Sequence, residues 1–422
     1  MVFRRIGAPE AAAVALLLVT GVAIDGRARA AAVALSPRAE LGKALFRDPV
    51  LSASGRMSCA SCHDPANHYA PSNDFAVQRG GLDGHLSGVR AVPTLTYKDE
   101  VPDFDIALEN PDGSQSAPGG GHDWDGRKPD IAAQSLVPLL QSFEMANKDA
   151  AELVDRVRGI PRYRDRFTAV FGADIFGRTD RAFGAIGLAL QAYQHEDASF
   201  HAYTSQYDYY TRGLATLTPA QARGMALFND PERANCAACH TAGVGPGAGG
   251  SMSSGQFTDF FFRALGVPRN DTIDYRPYGG YDMGLCGPLR TDLTPARAAG
   301  NAQFCGLFIT PTLRNVASRH VFFHNGRFTR LRDAVAFYFT RDITPRRWYA
   351  KAPRYNDLPP ALRTNVDHAD MPFTNQKPGA RPVANDRDID DIVAFLGTLT
   401  DGYDVKRQRY DTSTPGDGAR DR

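Results

Sequence analysis

Residues 59–63 read Cys-Ala-Ser-Cys-His, and residues 236–240 read Cys-Ala-Ala-Cys-His. This spacing is the attachment signal for c-type haem, in which two thiols bind the porphyrin and the adjacent imidazole binds the iron. A zinc site or a redox Cys-x-x-Cys pair requires no histidine directly after both pairs. The sequence therefore predicts two covalently bound haem c groups, held by Cys59, Cys62 and His63 and by Cys236, Cys239 and His240.

The amino terminus carries the features of an export signal, as haem attachment outside the bacterial cytoplasm requires. Residues 1–5 are basic, residues 11–23 are apolar, and Ala28-Arg29-Ala30 is a small-x-small cleavage site. The apolar run is too short for a membrane span, which favours cleavage over an anchor. We therefore expect a signal peptide at residues 1–30 and a periplasmic mature protein without stable membrane association.

The composition is ordinary for a globular protein, with 43% hydrophobic residues, 23% charged residues and a formal net charge of +1. Such a balance gives no reason to expect a nucleic-acid partner. The two remaining cysteines, Cys286 and Cys305, lack adjacent histidines. In an oxidising compartment a disulfide between them is the favoured state, and a reactive thiol pair is the alternative.

An internal repeat predicts two homologous domains. Residues 36–49 read Ser-Pro-Arg-Ala-Glu-Leu-Gly-Lys-Ala-Leu-Phe-Arg-Asp-Pro, and residues 218–231 read Thr-Pro-Ala-Gln-Ala-Arg-Gly-Met-Ala-Leu-Phe-Asn-Asp-Pro. Both have a hydroxyl N-cap, proline at the first helical position and Asp-Pro at the end, and each precedes a haem motif. We expect a mainly α fold of two c-type cytochrome domains, residues 31–210 and 211–405, with a polar, disordered tail at 406–422.

The repeat continues downstream, with Pro-Thr-Leu at residues 93–95 and 311–313 and Asp/Asn-Gly-Arg at 125–127 and 325–327. Between these anchors the first copy is longer, and the surplus falls at residues 101–121. A surface loop and a lid near the first haem are the two interpretations of that insertion.

The repeat also predicts unequal irons. Leu331, Ala334, Val335 and Tyr338 follow a helical stripe, and Pro138 occupies the place of Tyr338 in the first copy. Tyrosine can ligate iron and proline cannot, so one iron should be six-coordinate and the other open. Splitting a peroxide bond at the open iron requires a proton carrier, for which Glu144 is the best-placed carboxylate, and Gln134 could hold the ligand by hydrogen bonding.

These residues resemble those of the bacterial di-haem cytochrome c peroxidases, within them the MauG-like branch, from about Leu35 to Tyr403. The stretch Asp-Trp-Asp-Gly-Arg at residues 123–127 is similar to the family's Phe-Trp-Asp-Gly-Arg. The resemblance implies that Trp124 lies between the haems and that Gln134, Pro138 and Glu144 line the distal pocket of the first haem.

The resemblance also assigns the second haem's sixth ligand. In the family, that ligand lies fourteen residues after the histidine of the second-domain signature. The corresponding histidine here is His324, and the residue fourteen positions later is Tyr338. Taken alone, a tyrosine on an apolar helix face is a core residue. As a phenolate ligand it would favour the higher oxidation states of iron, unlike the methionine of ordinary family members.

Three departures from the family pattern bear on function. Ala91 replaces the asparagine that ligates the family's inter-haem calcium, while the other ligands would be the carbonyls of Arg319 and Val321; one calcium ion therefore remains an open alternative. Ala234 replaces the surface tryptophan that MauG uses toward its protein substrate. His85 is displaced from the position of the mobile distal histidine, which favours a loop histidine over a gating ligand.

The sequence thus predicts a periplasmic di-haem peroxidase that reduces hydrogen peroxide at the first haem. Its electrons would come from a small periplasmic donor such as a c-type cytochrome or a cupredoxin. A MauG-type protein-modifying oxidase and a pure di-haem electron-transfer cytochrome are the alternatives. Among the other histidines, His122 is the first to test because it lies two residues before Trp124.

Overall fold

The computed structural model describes residues 34–98, 100–110, 116–242, 255–374 and 376–410. The signal peptide predicted at residues 1–30 lies outside them. In the described ranges the helices are α1 Pro37–Arg47, α2 Ile131–Ser135, α3 Val137–Leu140, α4 Ala150–Gly159, α5 Pro161–Phe171, α6 Thr179–Glu196, α7 Gln206–Thr211, α8 Pro219–Asn229, α9 Leu331–Thr340, α10 Pro345–Tyr349 and α11 Asp386–Gly397.

Short two-stranded antiparallel ribbons join these helices. The strands are β1 Arg79–Gly80, β2 Leu86–Ser87, β3 Asp105–Glu109, β4 Ser116–Gly119, β5 Phe262–Arg263, β6 Phe308–Ile309, β7 Tyr403–Asp404 and β8 Arg409–Tyr410. They pair as β1–β2, β3–β4, β5–β6 and β7–β8. The mainly helical content agrees with the predicted fold class.

The two repeated segments form the helices that their sequences predict. Ser36 caps α1 by accepting a hydrogen bond from the amide of Ala39, and Thr218 caps α8 in a capping box with Gln221. Proline follows each cap, where its missing N–H costs no helical hydrogen bond. The N-cap and proline signals therefore identified both helix starts correctly.

The glycine in each repeated segment allows a close helix crossing. A Cβ at Gly42 of α1 would lie against the carbonyl oxygen of Ala189 in α6, and one at Gly224 of α8 would lie against that of Asp391 in α11. The backbones of each pair touch because glycine has no side chain. The repeat therefore encodes the same helix crossing in both halves.

Each crossing belongs to a separate hydrophobic cluster. One cluster is built from residues between Leu41 and Phe200 and includes Phe46, Tyr163 and Phe167. The other is built from residues between Leu227 and Leu399. The division into two haem domains at residues 210 and 211 stays a prediction.

The helix after the second Asn-Gly-Arg is continuous, whereas its counterpart in the first half is broken. Helix α9 spans ten residues, but the first half has α2 and α3 with Leu136 between them. Pro138 lies in the first turn of α3, where it donates no hydrogen bond to the preceding turn. Proline at the position of Tyr338 therefore changes the local backbone as well as the available ligand atom.

The structure corrects one expectation and decides two others. The tail was expected to be disordered from residue 406, but β8 pairs with β7, so this was wrong for the residues up to Tyr410. The described part of the 101–121 insertion forms the β3–β4 hairpin, and Gly119 bridges to Phe261. The disulfide between Cys286 and Cys305 is confirmed. Within the described ranges, no helix has the length and apolar character needed to span a bilayer.

Candidate active site

The two Cys-x-x-Cys-His stretches fold into the same local structure. Each begins with a 3₁₀ turn, Cys59–Ser61 or Cys236–Ala238. The amide of His63 donates to the carbonyl of Cys59 over 2.9 Å, and that of His240 donates to the carbonyl of Cys236 over 2.8 Å. The turn brings both thiols and the imidazole to one side of the chain in each half.

The imidazole of each motif is oriented in the same way. Nδ1 of His63 lies 3.1 Å from the carbonyl oxygen of Tyr69, and Nδ1 of His240 lies 3.1 Å from that of Phe257. Burial lowers the pKa of both histidines to about 4. A neutral ring that donates from Nδ1 leaves Nε2 free to bind a metal.

The repeated Pro-Thr-Leu supports that orientation. The hydroxyl of Thr94 donates to the carbonyl of His68 over 2.7 Å, and the hydroxyl of Thr312 donates to the carbonyl of Gln256 over 2.5 Å. Each acceptor directly precedes the residue whose carbonyl holds the motif histidine. The two threonines therefore fix the backbone on which the imidazole depends.

A cavity in the first half brings the first motif together with the predicted distal residues. Its wall includes Cys59, Cys62 and His63 together with Gln134, Pro138 and Glu144. The amide of Met145 donates to the carbonyl of Pro138 over 3.0 Å, which turns the chain so that Glu144 returns to this wall. The three distal residues thus share one space with the haem motif.

Glu144 is held in an environment that favours its protonated form. Burial raises its pKa to about 7, the negative charge of Asp123 adds to the effect, and Arg127 opposes it. Its Oε2 is buried and finds no hydrogen-bond partner among the described residues. A carboxyl group that titrates near neutrality is suited to accept and return a proton.

A second cavity contains the other motif and Tyr338. Cys236, Cys239, His240 and Tyr338 all line it. The phenol ring lies between Phe323 and Phe373, with ring centroids 5.9 and 5.8 Å away. Burial raises the pKa of Tyr338 well above its usual value, so the phenol stays neutral unless a cation lies close.

Trp124 lines both cavities. Its indole Nε1 donates to the carbonyl oxygen of Ala91 over 2.7 Å, and its side chain is 9% exposed. The position agrees with a tryptophan between two haem sites, as the family resemblance implies.

A buried ion network holds the Trp124 segment. Arg90 contacts Asp125 at 2.7 Å and Asp282 at 2.6 Å, and Arg127 contacts the other oxygen of Asp125 at 2.8 Å. Burial raises the pKa of Asp125, but the charges of the two arginines outweigh it and hold that pKa below its usual value. The network joins residues far apart in sequence beside the shared wall.

Two cations on the wall of the second cavity fit an anionic cofactor. Burial and the neighbouring charge of Arg319 lower the pKa of Lys98 to about 8, and burial lowers that of Arg319 to about 10. Within the described ranges neither side chain forms an ion pair, and Arg319 donates to the carbonyl of Val92 over 3.0 Å. The propionate groups of a haem would supply the missing counter-charge.

The thiols also fit a covalently bound group. Cys59, Cys62, Cys236 and Cys239 are in no disulfide. Burial raises the pKa of Cys59 to about 12 and that of Cys62 to about 11, so both are neutral thiols. Two thiols that are free of disulfides and line the same cavity as the motif histidine could form thioether bonds to a haem.

Other predicted candidates lie away from both cavities. His85 is exposed in the turn between β1 and β2. His122 is buried, and its amide donates to the carbonyl of Lys128 over 2.8 Å. The described residues of the 101–121 insertion line neither cavity, which favours the surface-loop interpretation over the lid.

A calcium ion at the family's inter-haem position stays a prediction. In the described part of the chain, no group of three or more His, Cys, Asp or Glu side chains could hold a metal ion. The family site would instead use the backbone carbonyls of Arg319 and Val321. The carbonyl of Ala91 accepts the indole N–H of Trp124 instead.

Sequence reasoning missed Lys98 and Asp123 as site residues, and it named Arg319 only for its backbone carbonyl. Lys98 and Arg319 belong to no motif, so no local signal could have identified them. Asp123 did carry a signal, because it stands where the resembled motif has phenylalanine, and the structure places it on the wall of the first cavity.

The fold and the paired motifs agree with a haem-binding oxidoreductase, and the chain belongs to the di-haem cytochrome c peroxidase family. The model of that family, described as di-haem cytochrome c peroxidase, matches residues 36–216. Haem is therefore its cofactor, and the protein is an enzyme of this family.

Similar proteins include both kinds of family member. The methylamine utilization protein MauG of Paracoccus denitrificans is 35% identical over 385 residues, which cover 89% of this chain and 92% of that protein. The cytochrome c551 peroxidase of Nitrosomonas europaea is 30% identical over 70% of this chain and 71% of that protein. The crystal structure of the diheme peroxidase BthA from Burkholderia thailandensis superposes with a TM-score of 0.78 at 37% identity, covering 92% of this chain and 91% of that one.

Proposed function

We propose that this protein reduces hydrogen peroxide at a haem bound by Cys59, Cys62 and His63. Electrons would arrive through a second haem, bound by Cys236, Cys239, His240 and Tyr338. Both groups would be covalently attached haem c, and a small periplasmic protein such as a c-type cytochrome or a cupredoxin would supply the electrons. The export signal predicted at residues 1–30 supports a periplasmic location.

The observation that carries this proposal is the difference between the two cavity walls. Tyr338 lines the second cavity with a phenol that receives no hydrogen bond from the described residues. Pro138 lines the first cavity and offers no ligand atom. The first cavity would therefore leave room for a small molecule such as peroxide beside a haem held by His63, whereas the second cavity offers Tyr338 as a candidate ligand.

The side chains of the first cavity supply proton transfer and orientation. Haem supplies an iron at which peroxide binds and a path for electrons. The carboxylate of Glu144 accepts the proton of the inner peroxide oxygen and returns it to the outer oxygen, which leaves as water. Gln134 holds the bound molecule by hydrogen bonding. The overall reaction consumes one peroxide, two electrons and two protons and yields two waters.

Trp124 and the motif histidines set the geometry of electron transfer. The indole is fixed by its hydrogen bond to Ala91 and lies on the wall common to both cavities. Tyr69 and Phe257 hold the imidazoles from the protein side through their carbonyl oxygens. This arrangement supports transfer of electrons between the two sites through a single side chain.

The proposal is tested by electron paramagnetic resonance of the ferric protein, its Tyr338→Phe variant and a Tyr349→Phe control. Tyr349 is buried in the same half, and its hydroxyl donates to the carbonyl of Gly266 rather than facing the cavity. We expect one high-spin and one low-spin haem in the wild type, loss of the low-spin signal in Tyr338→Phe, and no change in the control. Two low-spin haems that are inert to peroxide would support a pure electron-transfer cytochrome instead.

A protein-modifying oxidase is the second candidate, favoured by the likeness to MauG of Paracoccus denitrificans. Position 234 does not favour electron transfer to a protein substrate by the route that MauG uses, because a surface tryptophan is replaced there by Ala234. Ala234 is 1% exposed and carries no oxidisable group. Peroxide consumption that requires only a reduced cytochrome would support the peroxidase, and consumption that requires a specific partner protein would support the oxidase.

A further inference from the structure

A second carboxylate shares the first cavity with Glu144. Asp123 stands where the resembled motif Phe-Trp-Asp-Gly-Arg has phenylalanine, and it lines the same cavity. Its backbone φ of 69° lies in the left-handed region, and its repeat counterpart Phe323 has a φ of 65°. The backbone here therefore accepts an aromatic residue, so the chain has no conformational need for aspartate at this place.

Asp123 contacts two side chains that line the first cavity, Gln134 and Arg127. Its Oδ1 accepts a hydrogen bond from the amide Nε2 of Gln134 over 3.2 Å. Its Oδ2 lies 3.0 Å from Nη2 of Arg127. The contact with Gln134 fixes the amide that would hold the bound peroxide, while that with Arg127 connects Asp123 to the buried ion network.

Glu144 has a buried oxygen with no partner among the described residues, whereas the corresponding oxygen of Asp123 has only its ion pair with Arg127. Oδ2 of Asp123 and Oε2 of Glu144 are buried and have no hydrogen-bond partner with suitable geometry among the described residues. A buried carboxylate oxygen without a donor is costly, and a proton on one member of a pair relieves that cost. The partnerless oxygen of Glu144, on a cavity wall that also carries Asp123, therefore favours a proton at Glu144.

The charges around the pair do not neutralise it. Burial and the charge of Asp125 raise the pKa of Asp123, Arg127 and Arg90 lower it, and the net direction is upward. Lys98 also senses the charge of Asp123. Burial and the charge of Asp123 raise the pKa of Glu144. Two negative charges in one buried space are therefore unfavourable at neutral pH.

Other titratable groups that face Glu144 stay neutral near pH 7. Cys62 and Tyr278 both sense its charge, and burial raises the pKa of each above its usual value. Neither group would exchange a proton with the pair near neutrality. A proton that binds to this cavity wall near pH 7 would therefore bind to the two carboxylates.

We propose that Asp123 and Glu144 form a coupled carboxylate pair that holds one proton, on Glu144, beside the first haem site, with Asp123 as a positioning residue for Gln134. The role of the carboxylate pair in catalysis rests on the proposed peroxide reduction, but the presence of the pair does not depend on that reaction. The transfer involves no change in electrons: the O–H bond of the inner peroxide oxygen breaks and an O–H bond to Glu144 forms. The charge of Asp123 makes Glu144 a stronger base for that step.

The test compares holoprotein carrying Asp123→Asn, Asp123→Phe or Glu144→Gln with the wild type. Asp130→Asn is the matched control, because Asp130 is an exposed N-cap of α2 and asparagine also caps helices. The rate of reaction with peroxide is measured against pH, and the infrared band of a protonated carboxyl is titrated in the resting protein. The absorption spectrum of each variant verifies haem attachment and folding.

We expect the wild-type inflection near neutral pH to move to lower pH in both Asp123 variants, by about one unit or more, because a neighbouring negative charge is lost. The infrared band should move likewise, disappear in Glu144→Gln and stay in place in Asp130→Asn. An unchanged inflection and band in both Asp123 variants would overturn the pair. A band that shifts as expected in a protein inert to peroxide would uphold the pair and refute the proposed function.

Discussion

The indole Nε1 of Trp124 donates a hydrogen bond of 2.7 Å to the carbonyl oxygen of Ala91. The amide of Ala91 donates in turn to the carbonyl of His324 over 2.7 Å. His324 occupies the place of Trp124 in the second copy of the repeat, so the two copies meet through Ala91. The tryptophan is thereby held at the wall that both cavities share.

Replacing Trp124 with phenylalanine should slow electron exchange between the two haem sites. We expect oxidation of the second haem after peroxide addition to be roughly tenfold slower or more, equivalent to about 1.4 kcal/mol in the barrier. The measurement is stopped-flow absorption of both haems. Trp348→Phe is the control, because Trp348 is buried but lines neither cavity. Equal rates in the wild type and Trp124→Phe would show that electrons do not pass through Trp124 between the two haem sites.

Replacing Glu144 with glutamine should lower the rate of reaction with peroxide by roughly 10²- to 10⁴-fold. The carboxylate must first accept a proton, and its pKa is raised to about 7, so the wild-type rate should increase as pH rises through that value. The variant should be slow at every pH. Glu152→Gln is the control, since Glu152 lies on the exposed side of α4 and pairs with Arg156. A variant as fast as the wild type would contradict the assignment.

Replacing Lys98 with methionine should lower the midpoint potential of the second haem. One positive charge is lost beside a group whose oxidised iron carries an extra positive charge, worth about 1–3 kcal/mol over roughly 6–15 Å at an effective dielectric constant of about 20. Spectroelectrochemical titration measures the shift, and the exposed Lys351→Met serves as control. A potential unaffected by Lys98→Met would show that this ammonium group does not face the haem.

Replacing Gly42 or Gly224 with alanine should destabilise the corresponding half. The added Cβ would press on the carbonyl of Ala189 or Asp391, so we expect about 1–3 kcal/mol of lost unfolding free energy. Gly184→Ala is the control: it lies inside α6 with open space around it and should stabilise by up to about 1 kcal/mol. Denaturant unfolding distinguishes the cases, and equal stability of all three variants would contradict the close crossings.

Local sequence signals were sufficient for much of the architecture. The caps and prolines at Ser36 and Thr218 predicted α1 and α8, and the stripe that ends at Tyr338 predicted α9. The two haem motifs predicted matching turns, and the family register brought Gln134, Pro138 and Glu144 to one cavity wall. These predictions succeeded because each depends on residues close in sequence or on a spacing that the repeat preserves.

Other features depend on contacts between distant residues. Arg90 meets Asp282 across 192 positions, and Arg319 donates to Val92 across 227. No periodicity or motif specifies such pairs. The ordered strand at residues 409–410 was missed for the same reason, because it is stabilised by pairing with β7 rather than by its own polar composition.

The sequence alone determined the spacing of the thiols in both motifs and the exchange of tyrosine for proline between the two halves, because both are properties of single positions, and from them it predicted covalent haem attachment at two unequal sites. Only the tertiary structure decided that Asp123 joins Glu144, that Lys98 and Arg319 face the second cavity without a counter-charge, and that one indole borders both sites. Burial and the charges of distant neighbours set those properties, and both arise only when the chain has folded.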